Sequence, residues 1–240
     1  SRGVSEAPEL FQVSTLAALA QGANRGGITV SELMQHGDLG IGTFEGLDGE
    51  MVVVDGVAHR VAGHEHVGRA RPDDITPYAA VTRFTGPAAH ALPGLAGIDD
   101  LFAALDALRP DPEHVVAVRV EGRFSRIVLR VACPAREGET LAEATTHQYE
   151  ARHRDLSATV VGFWTPESLL GVDVVGYHLH VISHDRTMGG HLIDAAGAGL
   201  VARVQVEGRL TVVGASPEPV DPERLAADLG MSEDVRDGGP

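Results

Sequence analysis

The sequence predicts an α+β protein of two strand-rich lobes: an N-terminal mixed-sheet lobe over residues 1–155 and a largely antiparallel C-terminal lobe over 156–240, with a few packed helices. Three observations predict it. Apolar runs of strand length recur in both halves, punctuated by Gly, Asp and Pro. Helical patterns are few and carry their own stop or start signals. A charged stretch over residues 150–155 separates the two sets of strands and marks a soft boundary.

Residues 15–21 read as a short helix closed by Gly22, which can take the left-handed cap. Thr29 and Glu32 form a capping box: the hydroxyl and the carboxylate three residues later each satisfy the other's backbone N–H. The helix they start should stop at Gly37. Strands follow at 39–45 and 51–54, then Asp55-Gly56, then 57–61; Asp-Gly between apolar runs favours a turn with positive φ at both centres. Residues 63–77 are polar and rich in turn formers, so a loop is expected. A strand is expected at 78–84 and an amphipathic helix at 98–108, with acids at its start. Residues 114–120, a Glu121-Gly122 turn and 125–133 read as a hairpin. A helix over 141–146 precedes the charged stretch. Strands return at 159–164, 176–182, 190–193, 200–206 and 210–213, with a linker at 217–222 and a last helix at 222–229.

The chain has 240 residues, 43% apolar and 22% charged, enough for a sizeable core. It lacks an 18-residue apolar run, so no membrane span is expected. Its first residues lack a basic-then-apolar leader, which points to a cytoplasmic location, although a leader removed upstream is compatible with the same start. Net charge is −15 and all 19 basic residues are Arg. Such acidity repels phosphate backbones and argues against nucleic acid as a partner. An anionic substrate would need local positive charge, from a metal ion or a chosen Arg. The single Cys133 excludes an internal disulfide and a cysteine-rich zinc site, and reads as a small buried apolar residue.

The chemistry concentrates in Gly176-Tyr177-His178-Leu179-His180-Val181-Ile182. His178 and His180 are two apart on a strand and share a face. Centring the following hairpin between Asp185 and Arg186 sets His191 opposite His180. Cross-strand β-carbons lie roughly 4.5–5.5 Å apart, close enough for three imidazoles to share one cation. Two histidines alone fit packing or surface roles equally well; the third across the hairpin favours metal. Imidazoles suit Zn²⁺, with Cu, Fe or Ni also possible, and three protein ligands leave positions open, as catalytic sites do. His64-Glu65-His66 and His184 are weaker candidates, the first in a turn-rich loop and the second in the hairpin connection.

Further segments surround this core: Phe11-Gln12-Val13-Ser14-Thr15, His36-Gly37-Asp38-Leu39-Gly40-Ile41-Gly42-Thr43-Phe44, Leu47-Asp48-Gly49-Glu50, Gly162-Phe163-Trp164-Thr165-Pro166 and Gly189-Gly190-His191. In order and spacing, from about residue 11 to residue 194, the series resembles the acetolactate decarboxylase family. The resemblance implies two strand-rich lobes with the site between them, zinc on His178, His180 and His191, and a homodimer. It implies zinc-dependent decarboxylation of the small-molecule substrate 2-acetolactate to acetoin, through an enediolate stabilised by the metal and then protonated. It places a catalytic glutamate on Glu50 and the active-site arginine on Arg130, with Arg119 as fallback. A further glutamate from the tail falls on Glu233, in a region that departs from the family pattern. A cupin-like metal dioxygenase or isomerase also uses a His-x-His strand, but commonly with Glu where His184 stands. A non-catalytic metal-binding domain is the other alternative.

Overall fold

In a computed structural model, residues 7–214 are described except 111, 137 and 138. The chain runs through β1 (Glu9–Val13), α1 (Leu16–Ala20), β2 (Ile28–Thr29), α2 (Val30–Leu33), β3 (Leu39–Thr43), β4 (Glu50–Val54) and β5 (Val57–Ala62). It continues with β6 (His66–Arg69), β7 (Ile75–Thr76), β8 (Ala79–Thr82), β9 (His90–Ala91), α3 (Ile98–Asp106), β10 (Val116–Val131) and α4 (Leu141–Ala144). The second half holds β11 (Tyr149–Thr165), β12 (Gly176–Ser183), β13 (Gly189–Gly197), β14 (Val201–Val206) and β15 (Arg209–Val213).

Two sheets result. The first has seven strands in the order β15-β1-β8-β3-β4-β5-β6 and is mixed, because β15 lies parallel to β1. The second has six, β11-β12-β13-β10-β14-β9, and every pairing in it is antiparallel. β11 also pairs with β10, so β10 to β13 close into a ring. Antiparallel and mixed sheets with few helices give the α+β class expected. Among the described residues, no helix is long and apolar enough to cross a membrane.

Local sequence explains the elements that hold. Thr15 caps α1 and Gly22 follows it at φ 93°. The Thr29–Glu32 capping box closes on α2 in both directions. Asp55 and Gly56 turn β4 into β5 with φ 53° and 73°, as that dipeptide favours. Strand alternation sorts the core: Val52 and Val54 of β4 face the second sheet in one large cluster with Val118, Phe163, Leu179 and Leu192. Met51 and Val53 face the opposite side, where Val30 and Leu33 of α2 cover them.

Three expectations are corrected. The hairpin at Glu121-Gly122 does not form; β10 runs straight through, and Gly122 instead lets Leu200 approach, since a β-carbon there would lie 2.7 Å from its side chain. The charged residues 150–155 mark no break between strands but lie within β11, whose first half pairs with β10 alone and can carry charge on its open edge. The loop expected over 63–77 contains β6 and β7, short polar strands. The expected boundary at 155 therefore falls inside a strand, β9 and β10 of the second sheet come from before it, and β15 returns to the first sheet. The linker at 217–222 and the helix at 222–229 lie outside the described residues.

A polar knot ties the sheets where β8 meets β14. The buried Glu207 accepts from the Thr82 hydroxyl at 2.9 Å and from Gln205 Nε2 at 3.0 Å, while Gln205 Oε1 accepts from the Thr85 N–H at 2.8 Å. Burial pushes the Glu207 carboxyl up to about 7, against the pull of the Gln205 and Thr82 bonds.

Candidate active site

The hairpin of β12 and β13 pairs His180 with His191, the register expected from centring its turn. His178 lies two residues earlier on the same face of β12. The three ring centroids are 5.1–5.4 Å apart, and one ligand nitrogen from each ring lies within 4.8 Å of the others. Two glycines make this approach possible. A β-carbon on Gly162 of β11 would sit 2.0 Å from the His178 carbonyl oxygen, and one on Gly190 would sit 2.5 Å from that of Arg130. Neither strand could lie so close with a side chain there.

Arg130 of β10 stands directly opposite His191, so its side chain joins the same face. Glu50 comes from the other sheet. It begins β4 with the parity of Val52 and Val54, which aims it at the histidine strands. Its Oε1 accepts the Ala132 N–H at 3.0 Å, and its Oε2 lies 3.5 Å from His180 Nε2. All five side chains line one cavity of about 520 Å³ between the sheets. Leu16, Leu19, Leu47, Leu141 and Val174 form its apolar wall.

The electrostatics suit a cation. Burial, with the positive charge of Arg130 nearby, holds His178 and His191 well below the ordinary histidine range and His180 at about 4. All three rings are neutral at pH 7, with lone pairs free to bind metal. His180 Nδ1 is fixed on the Met51 carbonyl at 2.8 Å, which directs Nε2 into the cluster. His180 Nε2 and His178 Nδ1 are buried without a hydrogen-bond partner, a costly arrangement that a metal ion would relieve. The residues therefore fit such an ion. Burial pushes the Glu50 carboxyl up to about 7, with the Ala132 bond and the Arg130 charge opposing it. Arg130 Nε is also buried and unpartnered.

The other candidates separate cleanly. Arg119 is absent from the cavity wall and is held by Asp55 at 2.6 Å and Glu121 at 2.8 Å. Glu65 bonds His153 at 2.6 Å, His64 stacks on Tyr149, and His184 is exposed in the turn of the hairpin. Among the described residues, only His178, His180 and His191 group as a metal site. Glu233 lies outside the described residues. Cys133, expected to be buried, is half-buried and lines the cavity. Sequence reasoning missed Tyr78 and Gln148 on the same wall, for neither sits in a pattern that implies chemistry.

The geometry agrees with comparisons to known proteins. A family profile described as alpha-acetolactate decarboxylase matches residues 10–216. The alpha-acetolactate decarboxylase of Lactococcus lactis subsp. cremoris is 36% identical over 191 residues, covering 80% of this chain and 81% of that one. That of Methanosarcina mazei is 40% identical over 187 residues, covering 77% and 65%. The crystal structure of alpha-acetolactate decarboxylase from Bacillus subtilis strain 168 superposes with a TM-score of 0.86 at 26% identity, over 94% of this chain and 99% of that one. Profile, relatives and fold agree along most of the sequence: the chain belongs to the alpha-acetolactate decarboxylase family and is a carboxy-lyase.

Proposed function

We propose that this chain converts 2-acetolactate to acetoin and CO₂ in the cavity between its sheets, with zinc held by His178, His180 and His191. The observation that carries the reading is the meeting of three neutral imidazoles, with buried nitrogens left unpartnered, beside Glu50 and Arg130. An all-imidazole donor set suits zinc and leaves coordination positions for substrate oxygens. When bound, the cation supplies Lewis acidity toward the charge released as CO₂ departs.

The protein's own groups do the rest. Arg130 receives the substrate carboxylate and orients the bond to be broken. Its hold must not be tighter in the ground state than in the transition state, or the step slows. Glu50 keeps a proton at Oε2, the oxygen that Ala132 does not engage, and delivers it to the carbon that lost the carboxylate. One proton in for one CO₂ out balances the reaction. The apolar wall shields this transfer from bulk water. The proposal includes a homodimer, supported by the family resemblance and checked by light scattering. The cupin-like and non-catalytic alternatives lose their footing, since the family is one of carboxy-lyases.

The test is to supply racemic 2-acetolactate to purified protein and follow acetoin, before and after chelation and after zinc is restored. Loss on chelation and recovery with zinc are expected. Zinc-loaded protein that forms no acetoin overturns the reading.

A further inference from the structure

We infer that Tyr78 and Asp173 are positioning residues, whose buried bond clamps residues 171–175 to the first sheet and so fixes the cavity wall that Val174 and Val175 present to substrate. The kinetic part of this inference rests on the proposed decarboxylation; the clamp itself does not.

Asp173 lies in the connection from β11 to β12, five residues before His178, and is 4% exposed. Its Oδ1 accepts the Tyr78 hydroxyl and, at 2.7 Å, the Val174 N–H. Tyr78, 3% exposed, lines the cavity just before β8. Its backbone carbonyl accepts the Thr43 N–H at 2.9 Å and the Thr76 hydroxyl at 3.1 Å. Thr43 in turn stands opposite Glu50 in the β3–β4 register. One residue thus touches both the strand pair that carries Glu50 and the segment that leads into the histidine strand.

The rest of the segment is held from the same side. Gln12 Nε2 donates to the Val172 carbonyl at 2.7 Å, and the first N–H groups of α1, on Leu16 and Ala17, donate to Val172 and Gly171 at 3.0 Å each. Those contacts use main-chain carbonyls. Tyr78–Asp173 is the side-chain pair among them, and it adjoins the two valines of the wall. Burial pushes the Asp173 carboxyl up to about 6, with the bonds from Tyr78 and Val174 opposing, and drives the Tyr78 hydroxyl well above its ordinary range. An apolar pair of similar shape could fill this space without the desolvation cost. A buried polar pair instead fixes direction as well as distance. A wall that must stay in register with a metal strand and a facing carboxyl calls for that property.

The experiment compares wild type, Tyr78→Phe and Asp173→Asn as zinc-loaded protein. Tyr78→Phe deletes the donor while leaving the ring in place. We expect faster amide hydrogen exchange over residues 171–176, unchanged zinc content, a KM raised about tenfold and kcat within about twofold, as for the loss of one buried hydrogen bond that orders the wall. Asp173→Asn keeps an acceptor at Oδ1 and should restore wild-type exchange and KM. Unchanged exchange in Tyr78→Phe overturns the clamp. Faster exchange with a wild-type KM overturns the positioning role, and so does an Asp173→Asn protein as impaired as Tyr78→Phe. If wild type itself forms no acetoin, the proposed reaction fails, while the exchange comparison still decides the clamp.

Discussion

Replacing Glu207 by Gln tests the polar knot between the sheets quantitatively. The carboxyl is 3% exposed, and burial raises it from its ordinary 4.5 to about 7. The folded state therefore keeps its proton at pH values where the unfolded chain has released it. For such a group, stability is greatest below about pH 4.5, falls as pH rises to about 7, and is then level. At about 1.4 kcal/mol per pH unit, the loss across that window is on the order of 3 kcal/mol. A Gln side chain can accept from Gln205 and donate to the Thr82 oxygen, so it keeps the knot without the titration. Urea unfolding of both proteins, chelator-treated alike, should show the difference between them widening in favour of the Gln variant by about that amount between pH 4.5 and 7, then staying constant. Other titrating groups cancel in the comparison. A difference that does not change with pH refutes the reasoning.

Other predictions concern the site. His191→Ala should lose both bound zinc and CO₂ release, measured by metal analysis and manometry; a metal-free variant that still turns over removes the site. Glu50→Gln should keep zinc and lose at least about 100-fold in kcat, the scale of general-acid catalysis, read from acetoin formation at saturating substrate. Arg130→Ala should lower kcat/KM with zinc retained, while Arg119→Ala should leave kinetics near wild type, and the reverse order would exchange their roles. Gly162→Ala should cost several kcal/mol of stability by thermal unfolding, because its new β-carbon meets the His178 carbonyl at 2.0 Å.

The histidine hairpin was legible in the sequence because period-two alternation and a single turn fix which residues face one another. That reasoning reached His178, His180 and His191 without any knowledge of the rest of the fold. Glu50 and Arg130 could not be reached that way. They meet the histidines only through packing of one sheet on another and pairing of β10 with β13, contacts between residues far apart in the chain. Resemblance to a family supplied them. The failures share a physical cause. Gly122 reads as a turn, yet its missing side chain serves a close approach by Leu200. Residues 150–155 read as a soft boundary, yet an open strand edge tolerates the same charges. The Tyr78–Asp173 pair spans 95 positions and leaves no local trace.

The seating of β15 beside β1 has a consequence for how the protein is made. The ribosome delivers residues 9–13 long before their parallel neighbour, Arg209–Val213. Until then the sheet bearing Glu50 lacks its outermost strand beside β1, although every member of the β10 to β13 ring has already been made. A chain severed at 155 would leave each fragment holding pieces of both sheets and the whole of neither.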